Sequence, residues 1–309
     1  MGNRMSVGLV GCGKWGRHIL RDLMTLGCDV SVVALSDESQ ERAAEVGAAG
    51  IVTSIAALPE VAGAVVATPV TTHAAVIEEL LARGIPVFTE KSLTADRASA
   101  ARLAQLAPQR LFVMDKWRYH PGVEMLAQIA RTEELGPVIG LRTTRVQWGT
   151  DHRDVDCVWV LVPHDLSIAL EILGHIPVPR SALAERVGET VTGLVGCLGE
   201  NPWHVAEVSI RYAEWRREIR LHCRDGIAVL NDGYSDHVQL IRTSDLYDRT
   251  PPIERRPISN ELPLLRELRA FVEHLNGGPP PRSSASEGAA IVDTTATLRE
   301  LAGLDAPSK

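Results

Sequence analysis

The chain has 309 residues, 45% of them hydrophobic and 23% charged, the composition of a globular protein with a sizeable core. At roughly 150 residues per domain it is long enough for two domains. Its 39 acidic residues outweigh 32 Lys and Arg, for a formal charge of −7, so it lacks the overall basic footprint of a nucleic-acid binder. No run approaches the roughly 18 apolar residues that a membrane span needs.

The start, Met1 to Met5, carries no apolar signal region, which argues against secretion and for a cytoplasmic protein. Met1-Gly2-Asn3-Arg4-Met5-Ser6 fits the N-myristoylation pattern; an irregular lead into a strand at Ser6 is the plainer reading. Cys12, Cys28, Cys157, Cys197 and Cys223 are odd in number and widely spaced, neither a disulfide framework nor a zinc pattern, and are expected to be small buried thiols. The His and acidic residues show no spacing that would hold a metal.

Short Val-rich runs at Val7–Val10, Val30–Leu35, Ala64–Ala67, Pro86–Phe88 and Leu111–Met114 predict buried strands. Between them lie helical stretches, among them Arg17–Leu26, Thr72–Arg83 ended by Gly84, and Ala95–Ala107 capped by Thr94 and closed by Pro108. Such alternation builds a doubly wound parallel sheet. From about Pro121 the pattern changes. A helix over Gly122–Arg131 leads to a long strand, Val138–Trp148, and a helix near His164–Leu173 is closed by Gly174. Strands are then predicted at Arg180–Val187, Val191–Cys197, His204–Tyr212, Arg216–Cys223 and Ile227–Leu230, an α+β arrangement on a mostly antiparallel sheet. Leu262, Leu265, Leu268, Val272 and Leu275, spaced 3, 3, 4 and 3 apart, mark an apolar helix face. After a Gly- and Pro-rich linker at Asn276–Ser283, Glu287–Leu301 is helical again.

The first strand runs into Gly11-Cys12-Gly13-Lys14-Trp15-Gly16 and then a helix, the context in which a GxGxxG turn signals a dinucleotide site. Gly11 permits the tight turn, Gly13 lets backbone approach a pyrophosphate, and Gly16 allows close helix–strand packing. The helix N-terminus offers N–H groups to phosphate. Asp37, 21 positions after Gly16 and followed by Glu38, suits a ribose 2′-hydroxyl and repels a 2′-phosphate, which favours NAD over NADP. The alternative, that Asp37 caps the helix near Glu38, is compatible with that role.

Two further segments carry candidate chemistry. Thr68-Pro69 with His73, and Glu90-Lys91-Ser92, fall at the carboxyl edge of the predicted sheet, where nucleotides bind; Lys91 is placed to polarise a carbonyl or stabilise an alkoxide. In Pro163-His164-Asp165, just before a predicted helix, His164 is a candidate proton acceptor. Spacing alone does not bring His164 to Lys91.

These motifs, with Arg118-Tyr119-His120-Pro121, Glu134-Leu135-Gly136 and the late helices, resemble the glucose–fructose oxidoreductase and inositol dehydrogenase (Gfo/Idh/MocA) family over nearly the whole length. The resemblance implies a Rossmann domain (1–118), an α+β substrate and oligomerisation domain on an open sheet (119–285), and a closing helix (286–309) packed back near the Rossmann domain. It implies cofactor contacts from Gly11, Gly13, Lys14, Trp15, Gly16, Asp37, Thr68, Pro69, His73, Glu90 and Lys91, and catalysis by Lys91 and His164. The family pattern has Pro where Ser92 stands, and an Asp four residues before the His where Val160 stands. The string from Trp159 to Ser167 looks most like the sugar-nucleotide branch. Lys116, Trp117, Arg118, Tyr119, Trp148 and Asp165 are then expected at the substrate, with Arg142, Arg145 and Arg153 as further cations for a diphosphate. The expected activity is NAD-dependent interconversion of a secondary alcohol and a ketone on a polyhydroxylated small molecule, a nucleotide-linked sugar or cyclitol, by a homodimer or homotetramer without nucleic-acid or membrane partners. A catalytically silent NAD-binding regulator and a reductase of an unrelated carbonyl or imine are the alternatives.

Overall fold

A computed structural model describes residues 4–243 and 245–304. The first three residues of the myristoylation pattern therefore lie outside the described residues, as does the end of the closing segment. The chain divides into two compact units: the described parts of Met1–Lys116 with Leu262–Val292, and of Trp117–Glu261 with Asp293–Lys309.

The first unit is a six-stranded, wholly parallel sheet. It contains β1 (Ser6–Val10), β2 (Asp29–Val33), β3 (Gly50–Val52), β4 (Gly63–Val66), β5 (Val87–Glu90) and β6 (Leu111–Met114). The strand order is β3-β2-β1-β4-β5-β6. This is the doubly wound order that reverses between β1 and β4 and opens a crevice at their carboxyl ends. Helices α1 (Gly16–Thr25), α2 (Asp37–Val46), α3 (His73–Ala82) and α4 (Arg97–Leu106) make the crossovers. Asp96, not Thr94, caps α4 by accepting from the Ser99 amide at 2.8 Å; an aspartate one residue before the first helical turn satisfies its amides directly.

Helix α7 (Pro263–Leu275) also belongs to this unit, which corrects the expected domain limits. Its buried face is Leu264, Glu267, Leu268 and Phe271, rotated from the predicted Leu262–Leu275 stripe; Leu262 is exposed. Leu264, Leu268 and Phe271 join the Rossmann core of Val7, Leu9, Ile19, Leu20 and Phe88, and that shared apolar surface is why the segment packs with the first unit.

The second unit is built on an eight-stranded sheet of β7 (Val138–Trp148), β8 (Pro179–Val187), β9 (Thr190–Gly199), β10 (Trp203–Ser209), β11 (Arg211–Cys223), β12 (Gly226–Leu230), β13 (His237–Ile241) and β14 (Ile253–Pro257), in the order β14-β13-β12-β11-β7-β10-β9-β8. Its pairs are antiparallel except β7 with β10. Helices α5 (Pro121–Arg131) and α6 (Cys157–Leu173) supply Val123, Leu126, Ile129, Ile168 and Ile172 to a core with Leu141, Ile219 and Leu221 of the sheet. Helix α8 (Ala285–Leu301) gives its first turns to the first unit and its last to the second. Gly288 lets it lie against Val113, and Arg299 binds Asp156 of the second unit.

Helix α6 begins at Cys157 rather than near His164. Asp156 caps it, accepting from the amides of Val158 (3.0 Å) and Trp159 (3.5 Å), so the apolar run Val158–Val162 is helical and buried. Pro163 sits inside the helix. Of the five cysteines, Cys197 is exposed while the other four are buried, and all are free. Among the described residues no helix is long and apolar enough to cross a membrane, and no group of three metal-ligating side chains forms.

Candidate active site

The carboxyl edge of the parallel sheet gathers the residues singled out for a nucleotide. After β1 the chain turns at Gly11, whose φ is +94° and where a Cβ would stand 2.7 Å from the Ala67 carbonyl oxygen, so a side chain is excluded twice over. Gly16 opens α1 with its ideal Cβ position 2.4 Å from the Gly11 carbonyl oxygen; its close approach is to the turn itself, not the helix–strand packing expected. Gly13 differs, because a Cβ there would meet nothing within 4 Å. No side chain caps α1 and no acidic residue lies in its first turn, which leaves the positive end of the helix dipole uncompensated.

Ser36 caps α2 by accepting from the Ser39 amide, so capping does not account for Asp37, which stands exposed at the first helical position. Glu38 pairs with Arg42 one turn on, and Arg42 also reaches the Cys12 carbonyl at 3.5 Å. After β4, the Thr72 hydroxyl donates to the Pro69 carbonyl at 2.7 Å and lies 2.8 Å from Thr68 Oγ1, from which it can accept. His73 is buried, its ring nitrogens 2.9 Å from the Ser92 carbonyl and 3.0 Å from that of Thr68. It straps the loops after β4 and β5 together, and burial holds its pKa below the ordinary value.

Glu90 ends β5 and Lys91 follows it. The Trp15 indole donates to the Glu90 carboxylate, and Lys116, just beyond β6, places Nζ 4.3 Å from the centre of the Trp15 ring, a cation–π contact. Lys116, expected at the substrate, thus sits beside the glycine turn. Burial pushes the Glu90 carboxyl up, against the opposing pull of Lys91, the Trp15 hydrogen bond and Lys116. Sequence reasoning passed over Glu267, which α7 brings to this edge, buried to 1% exposure; a charge on the helix's buried stripe was the available signal.

In the second unit, His164 lies half-buried in mid-helix directly after Pro163. Val160, one turn earlier, is buried. Asp165 is also buried, and its Oδ1 accepts from Arg145 Nε at 3.2 Å. Neighbours on a helix point about 100° apart, so Asp165 faces β7 and does not stand in for the missing carboxylate beside His164. Burial raises the Asp165 pKa, with Arg145 and then Arg217 opposing.

Several residues expected at a substrate serve the interior instead. Arg118 binds Glu171 at 3.1 Å in a buried pair. Trp117 lies between His120, with ring centres 5.2 Å apart, and Arg145, 4.6 Å from its centre. Tyr119 is buried. Trp148, Arg142 and Arg153 are exposed. Arg217, which sequence reasoning missed, pairs across strands with Arg145 and is lowered to about 10 by burial and then by Arg145.

A doubly wound sheet with a glycine turn at its switch point, joined to a second unit built on an open sheet, defines a two-unit dinucleotide-binding protein. Residues 5–113 match the model of the oxidoreductase family GFO_IDH_MocA, NAD-binding Rossmann fold. It is 30% identical over 187 residues to the UDP-N-acetylglucosamine 3-dehydrogenase of Acidithiobacillus ferrooxidans, 58% of each chain. It is 31% identical over 153 residues to an inositol 2-dehydrogenase of Arthrobacter sp., 46% of this chain and 45% of that one. These alignments thus span little more than half the length of the curated relatives, or less. In fold the likeness is complete: the solved Acidithiobacillus enzyme superposes with a TM-score of 0.83 over 98% of this chain and 99% of its own at 21% identity. A levoglucosan dehydrogenase solved with NADH and levoglucosan gives 0.84 over 99% and 100% at 16% identity.

Proposed function

We propose that the protein is an NAD-dependent dehydrogenase that interconverts a secondary alcohol and a ketone on a sugar or cyclitol, with a nucleotide-linked sugar as the favoured substrate class. The observation that carries this reading is the sheet edge at which the open Gly13 position, the uncapped start of α1 and the Glu90–Lys91 strand end occur together. A glycine whose Cβ would touch nothing in the protein is explained by something outside the protein, and a pyrophosphate laid on the start of α1 is what it fits. Exposed Asp37 would accept from a ribose hydroxyl, and with Arg42 already engaged by Glu38 a 2′-phosphate would meet carboxylates first. That supports NAD over NADP.

The chemistry supplied by a bound nicotinamide cofactor would be hydride transfer. The chain's own residues do the rest. Lys91 would place positive charge against the substrate oxygen as it gains alkoxide character. His164 would take the hydroxyl proton during oxidation and give one during reduction. Trp15, Thr68, Pro69 and Glu90 would shape the cofactor's seat, with His73 fixing two of its loops through their backbone. Relatives named for UDP-N-acetylglucosamine and inositol support the substrate class. Leu183, Tyr212 and Trp215, exposed on the second unit's sheet, support a symmetric homo-oligomer, and the likeness to the oxidoreductase family supports a cytoplasmic location.

The test is a panel of nucleotide sugars and cyclitols offered with NAD and with NADH, read by nicotinamide absorbance; turnover of a panel member supports the reading, and silence across it refutes it. Val160 in place of the family's carboxylate favours a second reading, an NAD-binding regulator without turnover. It predicts NADH binding with an inert panel.

A further inference from the structure

Three acidic and two basic side chains converge at the carboxyl edge of the first unit's sheet: Glu90 and Lys91 at the end of β5, Asp115 and Lys116 past β6, and Glu267 from α7. The packing of α7 fixes the geometry. Leu275 and Phe271 lie over Gly63 at the start of β4, and the Phe271 ring lies 5.0 Å from that of Phe88. The helix therefore runs toward the sheet's amino edge, with its N-terminal end at the carboxyl edge. Glu267, one turn before Phe271, sits about 6 Å back along the helix. Glu90, two residues past Phe88, lies on the same sheet face about 7 Å along the strand. Glu267 thus stands over Glu90. Glu267 and Asp115 are each 1% exposed, and Glu267 Oε2 has no hydrogen-bond partner among the described residues.

An ionised Glu267 would set a buried carboxylate, one oxygen of it without a hydrogen bond, against the carboxylate of Glu90, which is strongly disfavoured. We propose that Glu267 is a positioning residue that holds a proton at neutral pH, so that Glu90 stays the charged carboxylate beside Lys91 and the Lys91 charge remains directed at the substrate oxygen. The inference rests on the reading of Lys91 given above. Burial first, and then the Glu90 charge, push the Glu267 carboxyl well above its ordinary range; Lys116 opposes and Asp115 adds to the push. Ionising Glu267 sets a second carboxylate against Glu90, the neighbour of Lys91, and the added negative charge at this edge weakens the hold of Lys91 on a developing alkoxide, so activity declines on the alkaline side as Glu267 loses its proton.

The sign for stability follows from linkage. A carboxyl raised in the folded state binds its proton more tightly there than in the unfolded chain, so stability falls as pH rises from about 4.5 toward the folded value. The experiment compares the full-length wild type with Glu267→Gln and Glu267→Met, two uncharged replacements of similar length. Thermal melts are taken without substrate from about pH 4 to about pH 9, alongside the pH profile of kcat/KM. The wild type is expected to lose melting temperature relative to both variants as pH rises past about 5, with the alkaline limb of kcat/KM moving up by about one unit or more in the variants. A merely structural role shifts the melts by a constant offset and leaves the limb where it is; either a pH-independent gap or an unmoved limb overturns the proposal. The melts need no turnover, so an inert substrate panel refutes the proposed activity while the proton on Glu267 is still read.

Discussion

Replacing Gly13 by Ala separates a glycine kept for a ligand from glycines kept for the fold. At Gly13 an added Cβ meets nothing within 4 Å and φ is outside the left-handed range, so Gly13→Ala is expected to leave stability unchanged or raise it by about 0.4–1 kcal/mol through the unfolded chain. The same methyl would stand where a pyrophosphate approaches the backbone. Losing a charge-assisted hydrogen bond worth roughly 1.5–3 kcal/mol weakens NADH binding by roughly 10- to 100-fold. Gly11→Ala is the control. Its φ of +94° and a 2.7 Å approach to the Ala67 carbonyl oxygen cost about 1–3 kcal/mol of stability. Urea denaturation measures the first quantity and NADH fluorescence titration the second. A Gly13→Ala protein that binds NADH as the wild type does, or that loses stability as Gly11→Ala does, refutes the reasoning.

Asp37→Ala is expected to narrow the preference for NADH over NADPH in the same titration; an unchanged ratio would remove Asp37 from cofactor selection. Asp156→Ala deletes the α6 cap and strands the buried Arg299 guanidinium, for a loss of about 2–4 kcal/mol in urea denaturation. Asp156→Asn keeps the cap and should recover part of that loss. Glu134 is held at about 2 by hydrogen bonds from Arg256 and Arg242, a depressed carboxyl whose stabilisation is full above about pH 4.5 and is lost as pH falls toward 2. The network is partly exposed, so the effect is modest; acid melts of Glu134→Gln should converge on those of the wild type near pH 2.

The parallel sheet was legible because buried parallel strands read as short Val-rich runs bounded by turn residues, and the glycine turn because each of its constraints is local. Strand β3, three residues of half-buried Gly-Ile-Val, and β14, with two arginines, offered no such run. The start of α6 was missed because Val158–Val162 is apolar all round and lacks the periodicity of a half-exposed helix; Asp156 was the signal. The α7 stripe was misplaced by one residue because the buried face includes Glu267, which a search for apolar spacing skips. Arg118, Arg145 and Asp165 looked like substrate groups because sequence shows charge but not partners, and their partners lie 53 and 20 positions away. Lys91 and His164 belong to different units, so no spacing argument reaches from one to the other.

The most direct test of the account is turnover of Lys91→Ala, with a substrate drawn from the nucleotide-sugar and cyclitol panel, measured beside its NADH affinity. The account predicts NADH binding close to that of the wild type and a fall in kcat of roughly 10²- to 10³-fold. Wild-type turnover in Lys91→Ala would contradict it.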